Sequence, residues 1–228
     1  MKFFNLLLLI LFFISTQGQN KVDSLRLDSS FLEDQLYLGV TYNFLVNQPN
    51  DDVGQRNLSY GLQAGFIKDI PLSKDRNVAL GLGLGYAINT YYSNLRATEI
   101  GSDIEYSIVS SKDYKRNKLE SHLIEMPLEF RWRNATPSNY KFWRIYAGFK
   151  LGYVVSSRSK IVSDLGDDSF YNKDTEKLVY GLTFSLGYNT FNFHAYYGLN
   201  SLFKDNVLIN GDPILMRPLR IGLIFYIL

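Results

Sequence analysis

The stretch VALGLGLGYAINTYY, from Val78 to Tyr92, decides the fold. Val78, Leu80, Leu82, Leu84, Tyr86 and Ile88 form one row of large apolar side chains; Ala79, Gly81, Gly83, Gly85, Ala87 and Asn89 form the other. Successive side chains of a β-strand point to opposite faces, so this alternation predicts a strand with one bulky apolar face and one face of small groups. Residues 58–69 and 177–188 repeat the pattern. Tyr60, Leu62, Ala64 and Phe66 oppose Ser59, Gly61, Gln63 and Gly65, and Tyr180, Leu182, Phe184, Leu186 and Tyr188 oppose Gly181, Thr183, Ser185 and Gly187.

Outward from these three, the chain divides into eight strand-like segments: 35–44, 58–69, 78–92, 118–132, 142–154, 177–188, 191–200 and 218–228. The links alternate in length. Those over 70–77, 133–141 and 189–190 are short, and the first two are rich in turn formers such as Pro71, Asp75, Asn134 and Pro137. Those over 45–57, 93–117, 155–176 and 201–217 are long. Period-2 strands with tight turns at one rim and long loops at the other predict an all-β fold, an eight-stranded antiparallel up-and-down transmembrane β-barrel over 34–228. No stretch of the chain approaches the ~18 consecutive apolar residues of a membrane helix. Only helices and closed barrels satisfy their backbone in lipid, so a membrane-embedded mature chain must be a barrel.

The glycines assign the faces. Gly39, Gly61, Gly65, Gly81, Gly83, Gly85, Gly148, Gly152, Gly181, Gly187, Gly198 and Gly222 lie in strands, all on the row opposite the large apolar one. An eight-stranded barrel has an interior only wide enough for side chains, which requires small residues among large ones there. The small, polar row is therefore the lumen and the apolar row faces lipid. Glu125, Glu129, Arg131, Lys150 and Arg220 fall on the lumen row. With Tyr37, Tyr146, Tyr196 and Tyr226 they are expected to form a polar network that plugs the barrel, because a lone charge there would carry a heavy desolvation penalty. A gated small pore is the alternative. Trp132 and Trp143 flank one short turn and Tyr91 and Tyr92 end strand three, which predicts aromatic girdles at the two interfaces.

The N-terminus reads as an export signal. Lys2, the apolar run Phe3 to Ile14, and the small residues Ser15 to Gly18 predict a signal peptide over 1–18 cut before Gln19. Residues 19–33 are polar with scattered leucines and read as a short periplasmic segment. A periplasmic N-terminus would put the short turns in the periplasm and the long loops outside the cell. The chain has 228 residues, a formal charge of +2 and no cysteine. That excludes disulfides, thiolate metal sites and CxxC redox chemistry, and implies no nucleic-acid partner.

Two strands carry finer signals. The last reads Arg220-Ile-Gly222-Leu-Ile-Phe225-Tyr-Ile227-Leu228. Arg220, Gly222, Phe225 and Ile227 resemble the C-terminal signal by which outer-membrane barrels reach their insertion machinery, with Leu228 in place of the usual terminal aromatic. Strand four, Leu123-Ile-Glu125-Met-Pro127-Leu-Glu129-Phe130-Arg131-Trp132, holds a proline that cannot donate to the ladder and so predicts a bulge.

Strand four, with Tyr146-Ala-Gly148-Phe-Lys150-Leu-Gly152-Tyr153, resembles a family of outer-membrane barrels widespread in Bacteroidetes. Leu62 to Pro71, Asn117 to Glu120, Glu129 to Arg133, Lys141 to Tyr146, Tyr188 to Phe191 and Leu219 to Leu228 are similar to the PorT family, called SprT in gliding bacteria. This likeness implies a non-enzymatic accessory component of type IX secretion, which exports folded cargo and supports gliding in some species. It also implies contact with other components of that system. A generic porin-like or structural barrel is the alternative.

Other chemistry finds little support. A barrel hydrolase needs a histidine near the outer rim, and only His122 and His194 exist. His122 falls on the lipid-facing row near Glu120 and Ser121, and His194 on the lumen row at the start of strand seven, so no triad is expected. Lys112, Lys115, Arg116 and Lys118 form a basic cluster in a long loop that could meet lipopolysaccharide phosphates or a partner, or simply be solvated. Asp164, Asp167 and Asp168 lack the ligand spacing of a calcium loop. No metal or cofactor is expected; lipid and lipopolysaccharide are the expected surroundings.

Overall fold

The computed structural model describes residues 35–49, 52–110, 112–134, 142–164, 166–189 and 191–227. The expected signal peptide over 1–18 and the segment over 19–33 lie outside them, as does Leu228. The wall consists of β1 (Gln35–Val46), β2 (Tyr60–Pro71), β3 (Val78–Tyr92), β4 (Arg116–Arg133), β5 (Trp143–Ser163), β6 (Leu178–Tyr188), β7 (Phe191–Gly198) and β8 (Arg217–Ile227). Each is antiparallel to the next, and β8 pairs with β1 from Leu36↔Ile227 to Val46↔Arg217. The sheet therefore closes into an eight-stranded up-and-down barrel with no free edge in its wall. No helix among the described residues is long and apolar enough to cross a membrane.

The two rows face as the glycines indicate. Leu82, Leu84, Tyr86, Leu128, Phe130, Leu182, Phe184 and Leu223 are exposed on the outer surface, while Tyr37, Glu125, Arg131, Lys150 and Tyr196 are buried inside. A continuous apolar exterior of this extent needs a lipid solvent. Glycines make room for large inward side chains. Tyr37 lies across Gly65, which lies across Gly85. A Cβ on Gly65 would come within 2.6 Å of the Tyr37 hydroxyl and of the Gly85 Cα. On Gly81 a Cβ would come within 2.7 Å of Arg131 Cδ.

Several expectations are corrected. Pro127 is not at a bulge. The β3–β4 ladder omits pairs at Gly83 and Leu84, opposite Pro127 and Met126, and resumes in unchanged register at Gly85↔Glu125. The missing N–H is absorbed by that local gap. The bulge lies elsewhere: His122 pairs with Ser156 and Leu123 with Val154, leaving Val155 as an extra residue. One extra residue reverses which side chains face inward. Below it Lys150, Gly152 and Val154 point in; above it Ser157, Ser159 and Ile161 do. β5 also runs well beyond residue 154, to Ser163, where the sequence reading placed a loop. Tyr91 does not belong to an aromatic girdle. It is 2% exposed and turned inward, because neighbours on one strand cannot share a face. Trp132 and Trp143 are outward and exposed, and Trp143 packs on Tyr188 with ring centroids 5.3 Å apart.

Candidate functional site

The inward-facing side chains form two charged layers. In the first, Glu125 Oε2 accepts from Lys150 Nζ at 3.0 Å, and Oε1 accepts from Arg220 Nη1 at 3.1 Å. Lys150 also donates to Gln63 Oε1 at 2.7 Å, and Arg220 to Asn89 Oδ1 at 3.1 Å. The Arg220 guanidinium lies 3.7 Å above the Tyr196 ring. Glu125 is on β4 and Arg220 on β8, four strands apart either way round the wall, so their bond crosses the diameter of the lumen. Thr41, Asn43 and Asn89 extend the network toward the long-loop end.

The second layer lies nearer the short turns. Asp69 receives Arg131 Nη1 at 2.9 Å on one oxygen and Arg133 Nη2 at 2.6 Å on the other. Arg131 also donates to Gln35, and its guanidinium sits 4.2 Å from the Tyr146 ring centroid and 5.5 Å from that of Tyr226. Glu129 stands beside it, its Oε2 3.5 Å from Arg131 Nε. Arg144, buried on β5, donates to the Asn189 carbonyl. The five charges singled out from the sequence thus fall into two groups, with Glu125, Lys150 and Arg220 in one and Glu129 and Arg131 in the other. Asp69, Arg133 and Arg144 were missed. Asp69 closes the predicted segment 58–69, and Arg133 opens the predicted short link 133–141, although β4 carries it inward. Strict continuation of the alternation from Arg131 would have found Arg133.

Toward the long-loop end the interior changes character. Leu45, Val53, Tyr91, Leu95, Leu202, Phe203, Val207, Ile209, Ile214 and Met216 form a buried apolar cluster, drawn from strand ends and long loops. A hairpin of Leu95–Ile100 against Asp103–Ile108 and a small one of Leu208–Ile209 against Asp212–Pro213 shape it. Tyr106 packs edge-on against Phe203, centroids 5.4 Å apart, and donates its hydroxyl to Asn172 at 3.2 Å. Burial pushes the Tyr106 phenol above its ordinary value. Asn117 Nδ2 donates to the carbonyls of Ser93 and Leu95 at 2.9 and 2.8 Å, fixing the hairpin to β4. One space of about 20 Å³ lies between this cap and the first charged layer, bordered by Tyr91, Leu202 and Arg220, and another of about 20 Å³ lies within the cap, bordered by Leu45, Tyr106 and Phe203. Each has room for about one water.

His194 is buried in the lumen, its Nδ1 2.8 Å from Ser185 Oγ. His122 faces outward, its Nδ1 2.7 Å from the Tyr86 hydroxyl and its Nε2 3.6 Å from Glu120. The basic loop cluster is divided rather than gathered: Lys115 pairs with Asp164 at 2.5 Å and Lys118 with Glu120 at 2.6 Å. Asp167 and Asp168 are exposed, and no group of three metal-ligating side chains occurs among the described residues. On β8, Gly222 pairs with Thr41, Phe225 packs against Phe191 at 5.8 Å and Ile227 faces outward.

Two solved structures resemble the chain distantly. Ail, the attachment invasion locus protein of Yersinia pestis, is 14% identical over 84% of this chain and 97% of its own, with a TM-score of 0.32. The same protein in complex with the heparin analogue sucrose octasulfate is 13% identical over 85% and 99%, with a TM-score of 0.31. So remote a likeness says nothing of what this chain binds. No curated protein matches it. Residues 17–204 match the family model described as an outer membrane protein beta-barrel domain, and to that family of outer-membrane β-barrels the chain belongs.

Proposed function

We propose that this barrel works through its surface and not through its lumen, as a non-enzymatic accessory component of type IX protein secretion. One observation carries the first half: the Glu125–Arg220 bond spans the lumen at 3.1 Å, with Lys150 on the other carboxylate oxygen. An ion moving through would have to break a buried, charge-assisted contact and leave its members unpaired, at a cost of several kcal/mol. The secretion role rests on the sequence likeness to the PorT family of Leu62 to Pro71, Asn117 to Glu120, Glu129 to Arg133, Lys141 to Tyr146, Tyr188 to Phe191 and Leu219 to Leu228. In this reading the signal peptide over 1–18 is removed and residues 19–33 lie in the periplasm. The short turns face the periplasm and the capped long loops face outside. The last strand, through Arg220, Gly222, Phe225 and Ile227, is what the insertion machinery grips. Loops or rim then contact other secretion components.

Two experiments test the halves separately. Purified protein in planar bilayers should give no steady conductance; a stable open channel would overturn the plugged lumen. Deleting the gene should abolish export of cargo carrying C-terminal sorting domains; an unchanged set of secreted proteins would overturn the secretion role and leave the barrel untouched.

A further inference from the structure

Beside the bulge at Val155 lies a groove that reaches in to the buried Val154, Ser157, Asn172 and Thr175. About 330 Å³ in volume, it is lined by Val155, Ser156, Tyr171, Lys173, Lys177 and Lys204. Its two ends differ in chemistry. One carries the lysines; at the other, Tyr153, Val155 and Leu178 are about half exposed and continue the lipid-facing surface. Lys177 precedes Leu178 directly, so cation and apolar belt meet within one residue. Arg158 adds a fourth cation at the rim, its guanidinium 5.1 Å from the Tyr171 ring centroid.

These cations are not spent on carboxylates. Lys173 donates to the Ser102 carbonyl. Arg158, Lys177 and Lys204 take part in none of the ion pairs among the described residues. Across the strands Arg158 stands opposite Glu120, which is held by Lys118 at 2.6 Å; Asp174 follows Lys173 in the chain and its carbonyl accepts from the Lys204 backbone N–H at 2.9 Å. Glu176 turns instead toward the space beneath the cap. Like charges left side by side repel, and an anion bridging them removes that cost.

We propose that this groove binds a phosphorylated glycolipid of the outer leaflet, its phosphate on Lys177, Lys204 and Lys173 and its acyl chains over Val155, Tyr153 and Leu178. The apolar continuation selects a lipid over a free anion, and the position at the top of the apolar belt is where headgroups lie. The inference rests on the reading that the long loops face outside. It also moves the phosphate-contacting surface away from the 112–118 loop, whose Lys115 and Lys118 are already paired.

The test uses the folded full barrel in a phosphate-free maltoside detergent. Diphosphorylated lipid A should raise its unfolding midpoint; dephosphorylated lipid A and inorganic phosphate should not. The pair K177Q/K204Q should weaken the response to lipid A roughly tenfold, and K177R/K204R should keep it. Heat-modifiable migration in gels checks that each variant closes. Wild-type affinity in K177Q/K204Q, an equal response to dephosphorylated lipid A, or an equal response to inorganic phosphate would each overturn the proposal. Surface proteolysis of intact cells tests the orientation separately: loops inaccessible from outside would sink that reading while the detergent result stood on its own.

Discussion

The charged layers and the loop cap occupy the same inward-facing row at two heights, with opposite chemistry. Along β1 that row runs Gln35, Tyr37, Gly39, Thr41, Asn43 and then Leu45, passing from polar groups into the apolar cluster. Along β3 it passes from Gly81 and Gly85 through Asn89 to Tyr91. Where the wall faces lipid, burying apolar groups inside gains little over leaving them in the bilayer, and ion pairs fill the lumen together with tyrosines and a few aliphatic groups such as Ile67 and Ile224. Where the wall rises into water, the hydrophobic effect returns and the interior becomes apolar. Solvent outside the wall sets the polarity within it.

The largest effect should come from crowding the narrow wall. Gly65→Leu places atoms where the Tyr37 hydroxyl and the Gly85 backbone already lie, and should prevent closure, read as loss of the heat-modifiable band. Asp69→Asn removes the carboxylate shared by Arg131 and Arg133 and should cost about 3 kcal/mol of barrel stability in urea titrations in lipid vesicles. Phe203→Ala empties part of the cap, and about 3 kcal/mol should be lost locally. It should appear as protease-sensitive loops with an unchanged barrel transition. If Phe203→Ala lowers the barrel transition as far as Asp69→Asn does, layers and cap are one cooperative unit and the contrast between them fails. Lys115→Ala breaks an exposed pair with Asp164 and should change neither transition measurably.

Much of this was legible in the residues, for a physical reason. The strand period is two, so parity alone assigns Glu125, Lys150 and Arg220 to the lumen, and a narrow barrel leaves them only each other. What escaped reading lay where the period is interrupted or unobserved. Asp69, Arg133 and Arg144 sit at strand ends, where boundaries blur by a residue or two. Val155 is one unpaired residue with no compositional mark. The cap is assembled from Val53, Leu95, Phe203, Ile209, Ile214 and Met216, scattered over three loops with no common spacing. Tyr91 and Tyr92 looked alike in composition, yet only one of two neighbours can point outward.

The extra residue at Val155 has a practical consequence for anyone recombining such barrels. It divides β5 into two reading frames, and loops exchanged between relatives must be cut with both frames in view. A graft joined above Ser156 inherits the shifted phase and keeps Ser157, Ser159 and Ile161 inside. Straightening the bulge with Val155 kept would turn Arg158 and Lys160 toward the interior and Ser157 and Ser159 out, whereas deleting Val155 would remove the bulge and keep the present faces. That single position therefore behaves as a splice junction, separating a variable outer module from a barrel that must stay in frame.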